Sequence, residues 1–281
     1  MIITKIKGGL GNQLFQYAAG RAVALHHKVP LKFDLSIFET YKLHNGYRLD
    51  QFAIQADIAT DNEIINLKGG NNVLYSTLRK AGLVKRKSYF KEKRSSYFDE
   101  GIFKNNFVYL DGYWQNELYF SAIRELLLLE LSPNCSMNDS SCAYLESIKA
   151  NNSVSLHVRR GDYLNLKNIN VLDVGYYKKA VEYVRKIVEK PTFFIFSDDL
   201  EWCKSSLGFL DDCIYVDYTQ TEIDDLKLMS FCRHNIIANS SFSWWGAWLN
   251  KNPNKTVIAP KGWLLNDPGS SNVILSDWVK L

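Results

Sequence analysis

The chain has 281 residues, 46% of them hydrophobic, enough for two domains of ordinary size with cores of their own. Its net charge of +4 is too mild for a nucleic-acid coat but leaves small anionic ligands or a membrane surface open.

The first strand is predicted at Ile2 to Ile6. Gly8, Gly9 and Gly11 then form a turn, and NQLFQYAAGRAVALHH reads as a helix. PLKFDL is a second strand. The basic middle, Lys68 to Arg94, has weak periodicity and no assignable role. FVYLDGYW reads as a strand and ELYFSAIRELLLLEL as one helix. Pro133 to Ser141, rich in Ser, Asn and Pro, is the best linker, so the lobes are expected at 1–140 and 141–281. The second half opens with SVSLHV, which alternates as a strand does. A helix follows with Tyr176, Ala180, Tyr183, Val184 and Ile187 on one face. TFFIFS, a short helix, CIYVDY, the helix EIDDLKLMSFCR, NIIANS, the helix SFSWWGAWLN and TVIAP then alternate. Such alternation predicts parallel sheets, and two such halves predict two Rossmann-like lobes facing a cleft, with ligand at the strand ends.

Cys135, Cys142, Cys203, Cys213 and Cys232 form no Cys-x-x-Cys pair, which argues for a reducing compartment and against zinc or redox motifs. No signal peptide is visible, because MIITKI runs straight into glycines. The longest apolar run, LLLLEL from Leu126, is far short of the ~20 residues of a membrane span. A cytoplasmic protein, at most peripheral at the membrane, is expected.

Four stretches can carry chemistry. In GGLGNQ, glycines between a strand and a helix let backbone N–H groups approach an anion. Leu14 stands where a dinucleotide fingerprint needs its third glycine, and no Gly-Lys-Ser/Thr follows, so both common phosphate motifs fail. Gly11, Asn12 and Gln13 are either anion donors or a tight turn with a helix cap. In HVRRGDY, Arg159 and Arg160 fall where a strand ends, and the planar arginine fork suits phosphate. The alternative is a solvated pair, one member bound to Asp162, with His157 a satisfied core histidine. An adhesion reading of Arg-Gly-Asp is set aside, since it needs an exposed flexible loop. In FSDDL, Ser197, Asp198 and Asp199 follow an apolar strand and can meet a base, a ribose or a metal, or cap the next helix. The chain has no Asp-x-Asp triplet, so no metal motif is assigned. In ANSSFSWWGAWL, Asn239, Ser240, Ser241 and Phe242 place hydroxyls and helix-start N–H groups together, while Trp244, Trp245 and Trp248 are expected as core. Together these residues read as a nucleotide-diphosphate site.

GGLGNQLFQYA, HVRRGDY, FSDD and NSSFSWWGAWL, in that order, resemble the α-1,2-fucosyltransferases of glycosyltransferase family 11 of bacterial type. The resemblance implies a GT-B-type α/β fold and inverting transfer of L-fucose from GDP-β-L-fucose to a galactose 2-hydroxyl, with no metal and no cofactor. It implies a galactose-terminated glycan acceptor and surface-polysaccharide or O-antigen synthesis. Arg159 then resembles the donor-phosphate arginine, and His157 and Asp198 resemble donor contacts, Asp198 towards guanine. Ser240, Ser241 and Phe242 resemble the loop around the diphosphate, and Asn12 the glycine-loop asparagine. Asp162 is near enough to act as base, but bracing an arginine is at least as good a role, and no residue declares itself the base. The rivals are a fucosyltransferase of other linkage and a non-enzymatic glycan-binding module, the latter suggested by 14% aromatics.

Overall fold

The structure is a computed structural model that describes residues 1–40, 45–69, 77–78, 80–81, 88–132, 137–165, 169–219, 221–265 and 267–281. Much of the segment 68–94, Cys135 and part of the expected linker therefore lie outside the described residues. The chain forms two compact units, Met1–Ser132 and Pro133–Leu281.

The first unit contains β1 (Ile2–Lys5), α1 (Leu10–His27), β2 (Leu31–Asp34), β3 (Asp57–Ile58), α2 (Asp61–Lys68), β4 (Tyr89–Lys91), β5 (Val108–Asp111) and α3 (Arg124–Glu130). Its sheet has the order β3-β2-β1-β5-β4, and every neighbouring pair is parallel. Ile2 and Ile3 are fully buried, as expected for a central parallel strand covered on both faces. The turn before α1 is made by Gly8, at φ +79, and Gly9, which caps the helix with no side-chain bond. Gly11, expected in that turn, already lies inside α1. The helix ends where Lys28 turns left-handed at φ 55.

The single helix expected over Glu117–Leu131 is broken. Two 3-10 turns, Glu117–Tyr119 and Ser121–Ile123, precede α3. Phe120 leaves helical geometry at φ −139 and is drawn inward, its ring 6.0 Å from that of Phe15. The short β3 and β4 carry too few residues to show a period. The capping box Thr60–Glu63 was a readable sign of α2.

The second unit contains α4 (Asp139–Ala150), β6 (Asn152–Val158), α5 (Val174–Ile187), β7 (Pro191–Ser197), α6 (Leu200–Ser206), β8 (Cys213–Tyr215), α7 (Glu222–Phe231), β9 (His234–Ile236), α8 (Ser241–Leu249), β10 (Val257–Ala259) and β11 (Val279–Lys280). The sheet order is β11-β10-β9-β6-β7-β8, again all parallel. Val154, Leu156 and Val158 pack with Tyr177, Ala180 and Val184 of α5 on one face. On the other, Phe194 and Phe196 meet Ile148, Leu228 and Met229. The polar alternates of β6 are buried too, and Ser155 accepts a hydrogen bond from Asn235 Nδ2 at 2.7 Å.

Two expectations are corrected here. The units divide after Ser132, not after residue 140, because Asn138 caps α4 and α4 packs beside β6. The buried face of α5 runs through Tyr176, Tyr177, Ala180, Val181 and Val184, while Ile187, in its last turn, is half exposed. Among the described residues no helix is long and apolar enough to cross a membrane.

Candidate active site

The second sheet has a topological switch point. From β6 the chain steps to β7 and β8 on one side, then returns to β9 and β10 on the other. Open α/β sheets bind ligands in the crevice that such a reversal leaves at the carboxyl ends of the strands. Arg159 follows β6 directly, Asp198 follows β7, and Asn239 and Ser240 follow β9 by three and four residues. The four loops expected to carry this site thus reduce, within this unit, to three that the topology brings to one edge.

Both arginines are held by carboxylates. Arg159 Nη2 lies 2.9 Å from Asp162 Oδ1, and Arg159 Nη1 lies 3.1 Å from Asp198 Oδ2. The Arg160 main-chain N–H donates to Asp198 Oδ1 at 2.9 Å, and its Nε donates to Asp199 Oδ2 at 3.3 Å. The Arg160 guanidinium also sits 4.2 Å over the Trp202 ring. Asp162 therefore braces an arginine. Asp198 braces both, and the helix cap once considered for it falls to Asp199, which accepts the Trp202 N–H at 3.1 Å. Ser197 Oγ accepts the Asp199 N–H at 2.9 Å. A guanidinium has five N–H donors, so two ion-paired nitrogens leave Arg159 able to bind a third anion. Gly161 has a packing reason: a Cβ there would lie 2.8 Å from Asp198 Oδ2.

The β9 loop closes the other flank. Ser240 caps α8 by accepting the Phe242 N–H at 3.3 Å, so the first turn of α8, with its unshared amides, opens at the switch point. Ser241 is the first residue of that helix. Asn239 is buried, donates from Nδ2 to Asn170 O and Trp263 O, and has no partner for Oδ1 among the described residues. Tyr163, which sequence reasoning passed over, joins the loops: its hydroxyl donates to Asn239 O at 3.1 Å and its ring lies 5.6 Å from the Arg159 guanidinium. Trp244, Trp245 and Trp248 are buried core, as expected.

His157 is buried beside Phe242, the rings 5.7 Å apart, and its Nδ1 has no partner among the described residues. Burial, and next the Arg159 charge, push its pKa down to about 3, so the ring is neutral at ordinary pH. The unfolded chain takes up that proton near pH 6.5 and the folded chain does not, so stability falls as pH drops below 6.5. In urea titrations stepped from neutral towards acid pH, His157→Gln should flatten this loss by up to about 1.4 kcal/mol per pH unit. An unchanged slope would remove His157 as its source.

The glycine turn behaves differently from expectation. Gln13 is buried and fully used: its Nε2 donates to Gly8 O and Gly46 O, each at 2.8 Å, and its Oε1 accepts the Arg48 N–H at 3.0 Å. It staples the loop at residues 46–48 and has no amide donor to offer an anion. Asn12 accepts from Gln115 Nε2 at 2.7 Å.

Residues 83–281 match the family described as "Glycosyl transferase family 11". The chain belongs to glycosyltransferase family 11. An α-1,2-colitosyltransferase of Escherichia coli is 33% identical over 100% of this chain and 99% of its own length. The O-antigen biosynthesis glycosyltransferase WbnK of Escherichia coli is 31% identical over 98% of this chain and 99% of its own. The mouse galactoside 2-α-L-fucosyltransferase Sec1 is 28% identical over 51% of this chain and 42% of its own. Among solved structures, the fucosyltransferase NodZ from Bradyrhizobium superposes with a TM-score of 0.51 at 12% identity, over 87% of this chain and 91% of that one. An Arabidopsis thaliana FUT1 variant in complex with GDP also gives 0.51, at 11% identity over 91% and 69%. These likenesses establish the fold of this family 11 glycosyltransferase as GT-B-type.

Proposed function

We propose that this glycosyltransferase moves L-fucose, with inversion, from GDP-β-L-fucose to the 2-hydroxyl of a galactose-type acceptor, in surface-polysaccharide or O-antigen synthesis. The observation that carries the reading is the braced arginine at the switch point, opposite the first turn of α8. Breaking the sugar–phosphate bond builds negative charge on the leaving diphosphate, and fixed cations and amide donors aimed at that charge stabilise it. In this proposal Arg159 meets the phosphates with Ser240 and Ser241. Phe242, His157, Asn239 and Ser197 shape the donor pocket, Arg160 and Asp199 hold its wall, and Asp198 faces the base. In the other unit Gly8 and Gly9 make the glycine turn, and Gly11 and Asn12 lie in the first turn of α1.

A second reading has a specific basis. The full-length relative named a colitosyltransferase supports GDP-colitose, whose sugar is L-fucose without its 3-hydroxyl, as donor. Incubating the protein with each GDP-sugar and a terminal galactoside, in excess EDTA, separates the readings. An α-1,2 product from GDP-fucose is expected. Another linkage, preference for GDP-colitose, dependence on added metal, or absence of any product (a glycan-binding module) would each replace the first reading.

Asp198→Ala should weaken GDP binding and erode the preference for GDP over ADP. A carboxylate pairs with the N1–H and amino group of guanine, and a site built for those donors rejects a base without them. Calorimetry with both nucleotides decides. A weaker GDP site with an unchanged GDP-to-ADP ratio would leave Asp198 as the brace of Arg159 and nothing more.

A further inference from the structure

The anion site at the switch point is built from two loops that lie far apart in the sequence. The turn after β6 carries Arg159, while the loop after β9 carries Asn239, Ser240 and the first amides of α8. Both must meet one diphosphate, so the spacing between them has to be set before the donor arrives. The two ion pairs of Arg159 do not set it. Asp162 belongs to the same turn, and Asp198 follows β7, on the side of β6 away from β9.

Tyr163 reaches from one loop to the other. It lies in a 3-10 turn, Asp162–Asn165, which is steadied where the Leu164 N–H donates to Arg160 O at 3.0 Å. Its ring is partly buried and lies 5.6 Å from the Arg159 guanidinium. Its hydroxyl donates to Asn239 O at 3.1 Å, across 76 residues of chain. Asn239 is a firm anchor. It is buried, its Nδ2 donates to Asn170 O at 2.9 Å and to Trp263 O at 3.1 Å, and the next residue, Ser240, caps α8. α8 is in turn seated by the buried Trp244, Trp245 and Trp248. Burial raises the Tyr163 phenol above its ordinary value, with Asp162 adding to this and Arg159 and Ser240 pulling it back, so the hydroxyl keeps the proton it donates. Among the described residues this is the one hydrogen bond that ties the Arg159 turn to the β9 loop.

We propose that Tyr163 is a positioning residue: its hydroxyl bond to Asn239 and its ring against Arg159 hold the guanidinium at a fixed spacing from the first turn of α8, and so set the shape of the diphosphate site. The proposal rests on the transferase reading above. Donors aimed at a developing charge work because they are fixed in advance. A shift of ~1 Å in such a group, caused by a change outside the chemistry, can cost about 10²-fold in rate. Phenylalanine at position 163 keeps the ring against the guanidinium and loses the tether. The site then has all of its charges and has lost their spacing. The loss should fall on the donor, because both tethered loops face the donor phosphates. A merely structural hydroxyl behaves differently: its removal lowers stability a little and does so whether or not Arg159 is present.

A double-mutant cycle on wild type, Tyr163→Phe, Arg159→Ala and the double variant tests this. GDP affinity is read by calorimetry, donor and acceptor constants by steady-state kinetics, and stability by urea unfolding. Tyr163→Phe should weaken GDP binding and lower kcat/KM for the GDP-sugar by about tenfold each, at unchanged acceptor KM. In the Arg159→Ala background the same change should cost less than about twofold, because the group it positions is gone. Tyr163→Leu, which removes the ring as well, should cost about threefold more than Tyr163→Phe while Arg159 is present. Equal losses in both backgrounds, or a Tyr163→Phe enzyme within about twofold of wild type, overturn the proposal. So does a loss confined to stability or to acceptor KM. If Tyr163→Leu fails to fold, the phenylalanine cycle decides without it. A wild type that binds GDP and transfers from neither GDP-sugar is instead the failure of the transferase reading, and the GDP arm of the cycle then still decides the role of Tyr163.

Discussion

Replacing Arg159 by alanine should lower turnover by about 10²-fold or more while the protein stays folded. The size follows from where the charge sits. Arg159 stands at the carboxyl end of β6, at the switch point, held by Asp162 and Asp198. A cation fixed before the reaction needs no reorganisation when the diphosphate departs, and that preorganisation is what the variant loses. A second effect has the same sign: without Arg159, two carboxylates face the donor unneutralised and repel it. KM for the donor should therefore rise as kcat falls. Lysine should rescue poorly, because a single ammonium cannot span two carboxylates and a phosphate as the planar fork does. Stability should change little, since the Arg159 side chain is about a quarter exposed and solvent screens its ion pairs. Steady-state kinetics with GDP-fucose, beside circular dichroism of the variant, make the comparison. Near-normal turnover in a folded Arg159→Ala protein would reduce the arginines to a braced surface pair and remove the anion site.

The sequence made the second unit more legible than the first, for physical reasons. Strands β6 and β7 span seven residues each and show their pattern at a glance. The two residues of β3 and three of β4 cannot show one. Residue types at a strand end, as in Arg159, Asp198 and Ser240, announce a site, because charge and hydroxyl there have few structural uses. They do not say which carboxylate grips which nitrogen. Hence the cap could not be assigned between Asp198 and Asp199, nor the bracing role of Asp162 settled. Gln13 misled for the opposite reason. A side-chain amide beside glycines suits an anion, yet Gly46 and Arg48, more than thirty residues away, claim it.

Trp244→Ala should destabilise the second unit by about 3–5 kcal/mol, the usual cost of removing a buried aromatic side chain. Trp244 is fully buried at the centre of an aromatic cluster. Its ring lies 5.0 Å from Trp245, edge-on, 6.2 Å from Trp248, stacked, and 5.6 Å from Trp278. Its indole N–H donates to Val273 O at 2.7 Å, so the variant loses packing and also leaves a buried carbonyl unpaired. α8 carries this cluster and also presents Ser240 and Ser241 at its start, so its seating in the core fixes where the first-turn amides point. Trp244→Phe keeps most of the volume and loses only the hydrogen bond and the second ring, and should cost about half as much. Urea unfolding of the three proteins measures these costs, and donor and acceptor KM of the folded fraction tell what the tryptophan does. In the core reading the midpoint falls steeply while both KM values of the folded fraction stay near wild type. A raised acceptor KM at unchanged stability would instead make the cluster a sugar platform, and its burial a poor guide to its role.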